Sequence, residues 1–172
     1  VKMLQPLDLN PDIVQLMGSV TCESISSTPQ AVVTSLAEMF HGHADFLNLP
    51  LYIPNDYVRE TLCNDANNSV ILKKGIFCDK VIASIGTMGK IRESDYWRGS
   101  MPPEIYKDLV EKGACGSILG CFFDANGQEL ACDWNEKSIS LSIQQLRNIS
   151  DVVIVASPVS KAPALLAALK GD

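Results

Sequence analysis

Short apolar runs alternate with amphipathic segments along this chain, and the runs predict β-strands. The clearest are Asp12–Met17, which stops at Gly18, then Lys80–Ile85 and Val152–Ala156. The last two are apolar on both faces, which is typical of strands buried in the centre of a parallel sheet. A shorter run at Ala44–Leu49 predicts a further strand that ends before Pro50.

The segments between these runs carry helical spacing and recognisable helix starts. Thr28-Pro29 has the form of an N-cap followed by proline in the first turn, and Ser142 has the form of an N-cap for a short helix through Leu146. Further helices are predicted near Asn55–Cys63, from Asn67 to Phe77, from Ser100 to Gly113, and from Pro158 to Leu169.

Alternation of strands and helices predicts an α/β fold with a doubly wound, mostly parallel sheet. A small β-hairpin is expected around Gly120–Phe123 and Leu130–Cys132, joined by a tight turn at Asp124–Gly127, and a short strand at Ser138–Leu141. The 172 residues are expected to form one domain, residues 1–172. Because both ends of the pattern stop inside a sheet, the domain is interpreted as a slice of a longer fold.

Composition and charge exclude several classes of function. The net charge is −6 at pH 7, and an acidic chain is a poor non-specific ligand for DNA phosphates. No apolar run is long enough to span a membrane, and the first residues lack the layout of a signal peptide. We therefore expect a cytoplasmic protein that contacts DNA, if at all, through a domain outside this chain.

The cysteine pattern does not predict a metal site. The six cysteines include no C-x-x-C pair, and there are only two histidines, His41 and His43. Zinc sites usually combine such residues at close spacing. The cysteines are interpreted as reduced thiols packed in the core, and no metal or cofactor is expected.

Small residues follow each of the three clearest strands: Gly18-Ser19, Ser84–Thr87 and Ala156-Ser157. Ligands of doubly wound sheets bind at the carboxyl ends of the strands, where small residues leave backbone N–H groups accessible. The same residues are also what α/β turns require for their geometry. Both interpretations stay open at this point.

Four segments together resemble one family. They are Ile13–Ser19, Gly113-Ala-Cys-Gly-Ser-Ile-Leu-Gly-Cys-Phe-Phe-Asp-Ala-Asn-Gly127, Ile139–Arg147 and Ile154-Val-Ala-Ser-Pro-Val-Ser-Lys-Ala162. In order and spacing they resemble the effector-binding domain of the SorC/DeoR-type sugar-responsive bacterial transcription regulators. The resemblance implies a Rossmann-like fold similar to ribose-5-phosphate isomerase and glucosamine-6-phosphate deaminase. It also implies a sugar or phosphosugar effector, homo-oligomers (dimers or tetramers) and a helix-turn-helix domain that this chain lacks.

The resemblance assigns a set of ligand-binding residues. Lys161 matches a lysine that contacts the effector or its phosphate, although a solvated lysine at a helix end would look the same. The other positions that match the family are Gly18, Leu49, Leu51, Gly86 and Ser117. Ser19 and Ser157, two of the small residues at the strand ends, complete the expected ligand-binding set.

Three positions depart from the family pattern. Ser117 stands where the family usually has an acidic residue that holds sugar hydroxyls, and a serine offers one hydroxyl where a carboxylate offers two acceptor oxygens. Pro158 lacks the backbone N–H of the usual glycine. Met17 stands where some members carry a Schiff-base lysine. These changes favour an altered or unphosphorylated sugar ligand.

Two other functions stay open. The fold also hosts sugar-phosphate isomerases and deaminases, and fold does not determine function. The candidate general bases for such an enzyme are Asp124, Asp95, Glu93 and His43. A regulator that has lost its effector and only oligomerises is the second alternative, and Ser117 and Pro158 motivate it.

Overall fold

A computed structural model of the chain describes residues 8–20, 28–91, 93–94, 97 and 100–171. The strands are β1 (Asp12–Val14), β2 (His43–Asp45), β3 (Lys80–Thr87), β4 (Gly116–Ile118), β5 (Cys121–Phe123) and β6 (Asp151–Val155). The helices are α1 (Pro29–Phe40), α2 (Asp56–Cys63), α3 (Ala66–Ile76), α4 (Met88–Ile91), α5 (Pro103–Glu111), α6 (Asp133–Lys137), α7 (Ile143–Arg147) and α8 (Ala162–Ala168), with a 3-10 turn at Val159–Lys161 just before α8.

The strands form two sheets in the described part of the chain. The larger has the order β5-β4-β3-β6, in which β3 and β6 are parallel while β4 is antiparallel to both β3 and β5. The smaller pairs β1 with β2 in parallel, with Asp12 opposite His43. The fold is therefore α/β as predicted, but its sheets are mixed, and the single mostly parallel sheet of the prediction was wrong for the described residues.

The hairpin is formed by β4 and β5, whereas the sequence predicted that β5 would pair with Leu130–Cys132. Strand β5 pairs with β4, and the two-residue turn between them is Leu119-Gly120, both at positive φ (52° and 83°). Such a turn matches the twist of the strands it joins. The Asp124–Gly127 turn does form, but it leads only to a bridge between Phe123 and Glu129, and Leu130–Cys132 is not a strand.

The short strand predicted at Ser138–Leu141 is present only as isolated bridges. Ser138 pairs with Tyr52 and Ser140 pairs with Met17, both antiparallel. Backbone hydrogen bonds of 2.7 Å from Gly18 N–H to the Ile139 carbonyl and from Ile139 N–H to the Leu51 carbonyl tie three segments together. These hydrogen bonds connect the segment that follows β1 to the rest of the domain.

Helix starts agree well with the prediction. The Thr28 hydroxyl caps α1 by accepting the Ala31 N–H at 3.2 Å, and Asn55 caps α2 through the Val58 N–H at 3.0 Å. Ser142 and Gln145 form a reciprocal capping box at α7. Helices α4 and α6 were not predicted, and the helix expected from Pro158 begins only at Ala162, after the 3-10 turn.

Three apolar clusters make up the core. The first packs one face of β3, including Val81 and Ile85, against α7 and α8. The second surrounds Trp134 and Phe122, which are both fully buried. The third, smaller cluster lies beneath the segment that follows β2, around Leu47 and Leu49. These clusters support the hairpin and β3 from one side and leave the other side of β3 open.

Candidate functional site

A cleft of about 1310 Å³ lies between the two sheets. Strand β1 with helix α1 forms one wall, and strand β3 forms the other. Ligand pockets for small molecules usually measure about 300–1,000 Å³. A monosaccharide would therefore fill only part of this cleft.

Three of the predicted ligand-binding residues meet at one end of the cleft. Gly86 lies at the carboxyl end of β3, Ser117 lies opposite it on β4, and Lys161 closes the 3-10 turn that follows β6. Thr87 and Leu119 line the same region. These three residues therefore lie together in the folded chain, and their roles in ligand binding stay predictions.

At this end of the cleft, the ammonium group of Lys161 has no ion-pair partner among the described residues. Its side chain is half-buried, and no carboxylate within the described ranges lies within 4 Å of its Nζ. By contrast, Lys90, which also lines the cleft, is held by Glu93 at 2.5 Å. An unpaired ammonium group beside serine and threonine hydroxyls can bind an anion or a cluster of sugar hydroxyls.

Gly86 and Ser117 pack directly on each other. They are opposite residues of the antiparallel β3–β4 pair, and a Cβ added to Gly86 would lie 2.6 Å from the Ser117 Oγ. Ser117 is only 3% exposed. The absence of a side chain at Gly86 leaves space for the Ser117 hydroxyl, so packing alone is enough to explain why a glycine occupies position 86.

The second predicted group lies beyond the ends of the two strands of the small sheet and does not line the cleft. Gly18, Ser19, Leu49 and Leu51 meet where the Ser19 N–H donates to the Leu49 carbonyl at 2.7 Å and the Leu51 N–H donates to the Ser19 carbonyl at 2.8 Å. A Cβ on Gly18 would lie 2.5 Å from the Pro50 carbonyl oxygen. The close approach of two backbones explains this glycine.

The leucines of this group are core residues. Leu49 is 3% exposed and Leu51 is 1% exposed, and each belongs to a packed apolar cluster. The Ser19 hydroxyl accepts a short hydrogen bond from the Gln30 side chain. Ser157 is exposed beyond the end of β6 and does not line the cleft. The ligand roles assigned to these residues stay predictions.

Sequence reasoning missed Gln15, which the structure places in the wall of the cleft. Its side chain is 3% exposed, its Nε2 donates to the Met17 carbonyl at 2.7 Å, and its Oε1 has no hydrogen-bond partner. A buried acceptor without a donor costs about 1–3 kcal/mol. A polar residue inside the otherwise apolar run Ile13–Met17 was the signal that could have revealed it.

None of the described candidate bases for an enzyme lines the cleft. The Asp124 carboxylate accepts the N–H groups of Asn126 and Gln128 at 2.8 and 2.9 Å, and these backbone bonds hold its pKa below the usual range. Glu93 is paired with Lys90, and His43 is an exposed residue beside Asp45. Asp95 lies outside the described residues.

One of the described cysteines, Cys78, lines the cleft. Cys63, Cys78, Cys115, Cys121 and Cys132 are free thiols, and burial raises the pKa of the Cys121 thiol well above its ordinary value. Within the described ranges no three His, Cys, Asp or Glu residues are grouped so that they could hold a metal ion. None of the helices described has the length and apolarity that a membrane span needs.

Comparison with known proteins establishes the family. Residues 2–172 match the family described as "Putative sugar-binding domain". The chain belongs to this family, the sugar-binding domain of SorC/DeoR-type transcriptional regulators. The resemblance seen in the four sequence segments is thus confirmed.

Curated relatives are regulators of about twice this length. The chain is 26% identical over 160 residues to the deoxyribonucleoside regulator of Bacillus subtilis (strain 168), covering 93% of this chain and 50% of that protein. It is also 26% identical over 157 residues to the erythritol catabolism regulatory protein EryD of Brucella abortus (strain 2308), covering 91% and 49% respectively. The chain therefore spans about half the length of the curated relatives it matches.

Solved structures share the fold. A DeoR family transcriptional regulator from Listeria monocytogenes has 26% sequence identity and a TM-score of 0.83, covering 97% of this chain and 64% of that one. The full-length sorbitol operon regulator SorC from Klebsiella pneumoniae has 19% identity and a TM-score of 0.86, covering 96% and 55%. The mixed-sheet α/β architecture is therefore a shared feature.

Proposed function

We propose that this chain is the effector-binding domain of a sugar-responsive transcription regulator. The effector is a sugar or sugar phosphate that binds at the end of the cleft defined by Gly86, Ser117 and Lys161. Lys161 donates to a phosphate or hydroxyl oxygen of the ligand, and Ser117 bonds a sugar hydroxyl. Membership of the family supports the proposed class of ligand. The proposed position of the ligand is supported by Lys161, which has no carboxylate partner among the described residues and lines the same end of the cleft as Ser117.

The domain acts by coupling ligand binding to assembly. A ligand shifts an equilibrium between two states only by the difference in its affinity for them. In this proposal the two states are quaternary arrangements of a cytoplasmic dimer or tetramer. They differ in affinity for DNA, which is contacted by another domain of the regulator.

The direct test is a thermal-shift and calorimetric screen with sugars, sugar alcohols and their phosphates. A ligand that binds only the folded state must raise the melting temperature. Lys161→Met removes the ammonium group, and a charge-assisted hydrogen bond is worth about 1.5–3 kcal/mol. We expect Kd for the best ligand to rise roughly 10- to 100-fold. Lys170→Met, at an exposed position just after α8, is the matched control and should leave Kd unchanged.

The outcome also separates the two alternative functions. Failure of the whole panel to shift a cooperatively melting protein would contradict effector binding, and light scattering would then test the role in oligomerisation alone. Turnover of a pentose or hexose phosphate would favour an isomerase or deaminase. Equal loss of affinity in Lys161→Met and Lys170→Met would place the ligand elsewhere.

A further inference from the structure

Three residues form one row across neighbouring strands, on the open side of β3. Gly86 of β3 lies opposite Ser117 of β4, and Ser117 lies opposite Phe122 of β5. Opposite residues of antiparallel strands direct their side chains to the same face of the sheet. Because Gly86 has no side chain, the row has a gap at its β3 end, and it has a fully buried ring at its β5 end.

An aromatic residue packs against the β5 end of this row. The rings of Trp97 and Phe122 have centroids 5.8 Å apart, and Trp97 also makes an edge contact with Trp134 at 5.7 Å. The backbone of Trp97 is held locally, since its N–H donates to the Ser94 carbonyl at 3.1 Å and its carbonyl accepts the Met101 N–H at 3.0 Å. One part of the indole is therefore fixed in the aromatic cluster.

The rest of the indole faces the cleft. Trp97 is half-buried and lines the cleft, whereas Trp134, the other tryptophan of the chain, is fully buried. Phe40 and Phe77 also line the cleft, but Phe40 is bonded to the segment just before β1 and Phe77 lies just before β3. Trp97 is therefore the aromatic residue that the described lining places at the carboxyl end of β3.

The ammonium group of Lys161 lies on the other side of the gap at Gly86. Lys161 ends the 3-10 turn that follows β6, and β6 occupies the edge of β3 that is remote from β4. Neighbouring strands are about 4.8 Å apart, so two spacings, about 10 Å, separate Phe122 from Gly86. An occupant of the gap thus has the indole of Trp97 on one side and a positive charge on the other.

We propose that Trp97 is a specificity-determining residue of the effector site and selects a sugar in its closed-ring form. This inference rests on the proposed function and names the class of ligand for that site. The C–H groups on one face of a pyranose or furanose ring rest on the indole, while hydroxyl or anionic groups reach Ser117 and Lys161. An open-chain sugar alcohol carries a hydroxyl on every carbon and presents no continuous apolar face, so it gains less from an aromatic wall.

Matched pairs of closed-ring and open-chain sugars test the selection by calorimetry. Glucose 6-phosphate is compared with sorbitol 6-phosphate, and ribose 5-phosphate with ribitol 5-phosphate, and each pair is repeated without the phosphate. We expect the closed-ring member of at least one pair to bind more tightly. Trp97→Leu should raise its Kd roughly 3- to 10-fold and leave Kd for the open-chain member unchanged, because only the ring uses the indole.

Two further variants separate stacking from a general loss of structure. Trp97→Phe keeps an aromatic ring and should restore most of the affinity for the closed-ring sugar. Phe77→Leu changes an exposed aromatic residue near the start of β3 and should leave both Kd values unchanged. Equal losses for ring and open-chain sugars in Trp97→Leu would assign Trp97 to packing and overturn the inference.

Tryptophan fluorescence adds a readout that a role in packing alone would not move. A closed-ring sugar should change the emission of the parent protein, and this change should be absent from Trp97→Phe, which keeps Trp134. An equal change in both proteins would contradict contact with Trp97. A ring sugar that binds Trp97→Leu as tightly as the parent would overturn the inference and leave the effector function standing. Failure of all these sugars to bind would overturn it too, and the broader screen would then decide the effector function separately.

Discussion

Two amide side chains show how differently the two sides of this domain are completed. Asn135, beneath the hairpin, accepts the Phe122 N–H at 2.9 Å and donates to the carbonyls of Phe122 and Leu130 at 2.8 and 2.9 Å. Gln15, in the wall of the cleft, is more deeply buried but leaves its Oε1 without a partner. The amide of Asn135 thus has hydrogen-bond partners for its oxygen and its nitrogen among the described residues, whereas the Gln15 Oε1 has none.

The same contrast is visible in the apolar residues. Trp134 is fully buried, stacks on Tyr52 with ring centroids 4.8 Å apart, and donates its Nε1–H to the Gly120 carbonyl at 2.8 Å. Phe77, at the edge of the cleft, is 82% exposed. Large apolar side chains are left in water on the side where the backbone edges are also unpaired. The two sides therefore differ in how completely their polar and aromatic groups are buried against other described residues.

Replacing these two aromatic residues should give the largest difference. Trp134→Ala leaves a cavity in the packed side and should lower the free energy of unfolding by about 3–5 kcal/mol. Phe77→Ala removes an exposed ring and should change it by less than about 0.5 kcal/mol. Urea unfolding followed by circular dichroism measures both. Comparable losses would mean that Phe77 is packed in solution and that the contrast between the sides is wrong.

The two amides should differ next. Asn135→Leu removes three hydrogen bonds and leaves the Phe122 N–H without its acceptor, although the Phe122 carbonyl keeps the Leu130 N–H at 3.0 Å, so a loss of about 2–3 kcal/mol is expected. Gln15→Leu removes an acceptor that had no partner and one bond to Met17, so about 1 kcal/mol or less is expected. A loss for Gln15→Leu as large as that for Asn135→Leu would contradict this contrast between the two amides.

Local signals in the sequence predicted the parts of the fold that local bonds determine. Ser142 and Gln145 lie three residues apart in the sequence and form the capping box that starts α7. Helix α6 escaped prediction because its N-cap is Cys132, whose thiol accepts the Asn135 N–H at 3.5 Å, and cysteine is not a usual capping residue.

Strand partners were predicted less well, because pairing is a non-local property. Lys80–Ile85 and Asp12–Met17 were identified as strands from their apolar residues, but nothing within either run specifies its neighbour. The arrangement of the candidate site is also non-local. The family resemblance identified Lys161, Ser117 and Gly86 as separate positions, and only the folded chain shows that they line the same end of the cleft. Gln15 could not be recognised as unpartnered until its surroundings were known.

The Gly86–Ser117 contact offers a smaller test that separates packing from ligand binding. Gly86→Ala places a Cβ 2.6 Å from the Ser117 Oγ, and such overpacking should cost about 1–3 kcal/mol. Ser117→Ala removes that oxygen, so the double variant Gly86→Ala with Ser117→Ala should regain most of the lost stability. Calorimetry on the same variants asks whether affinity for a sugar ligand returns with it. Recovery of stability without recovery of binding would assign Ser117 to the ligand, and recovery of both would assign it to packing.

The smallest effect is expected at the Asp124 turn, where it appears as a pH dependence. Hydrogen bonds from the Gln128 and Asn126 N–H groups lower the pKa of the Asp124 carboxyl in the folded state. The unfolded state therefore binds this proton more readily, so the stabilisation is present above the ordinary pKa and is lost as the pH falls through the folded pKa. Asp124→Asn keeps an oxygen acceptor for both N–H groups but cannot titrate. Urea unfolding between about pH 5 and pH 2.5 should show a shallower decline for this variant than for the parent protein. Parallel curves would show that the carboxylate charge adds nothing to the turn beyond what a neutral amide oxygen supplies.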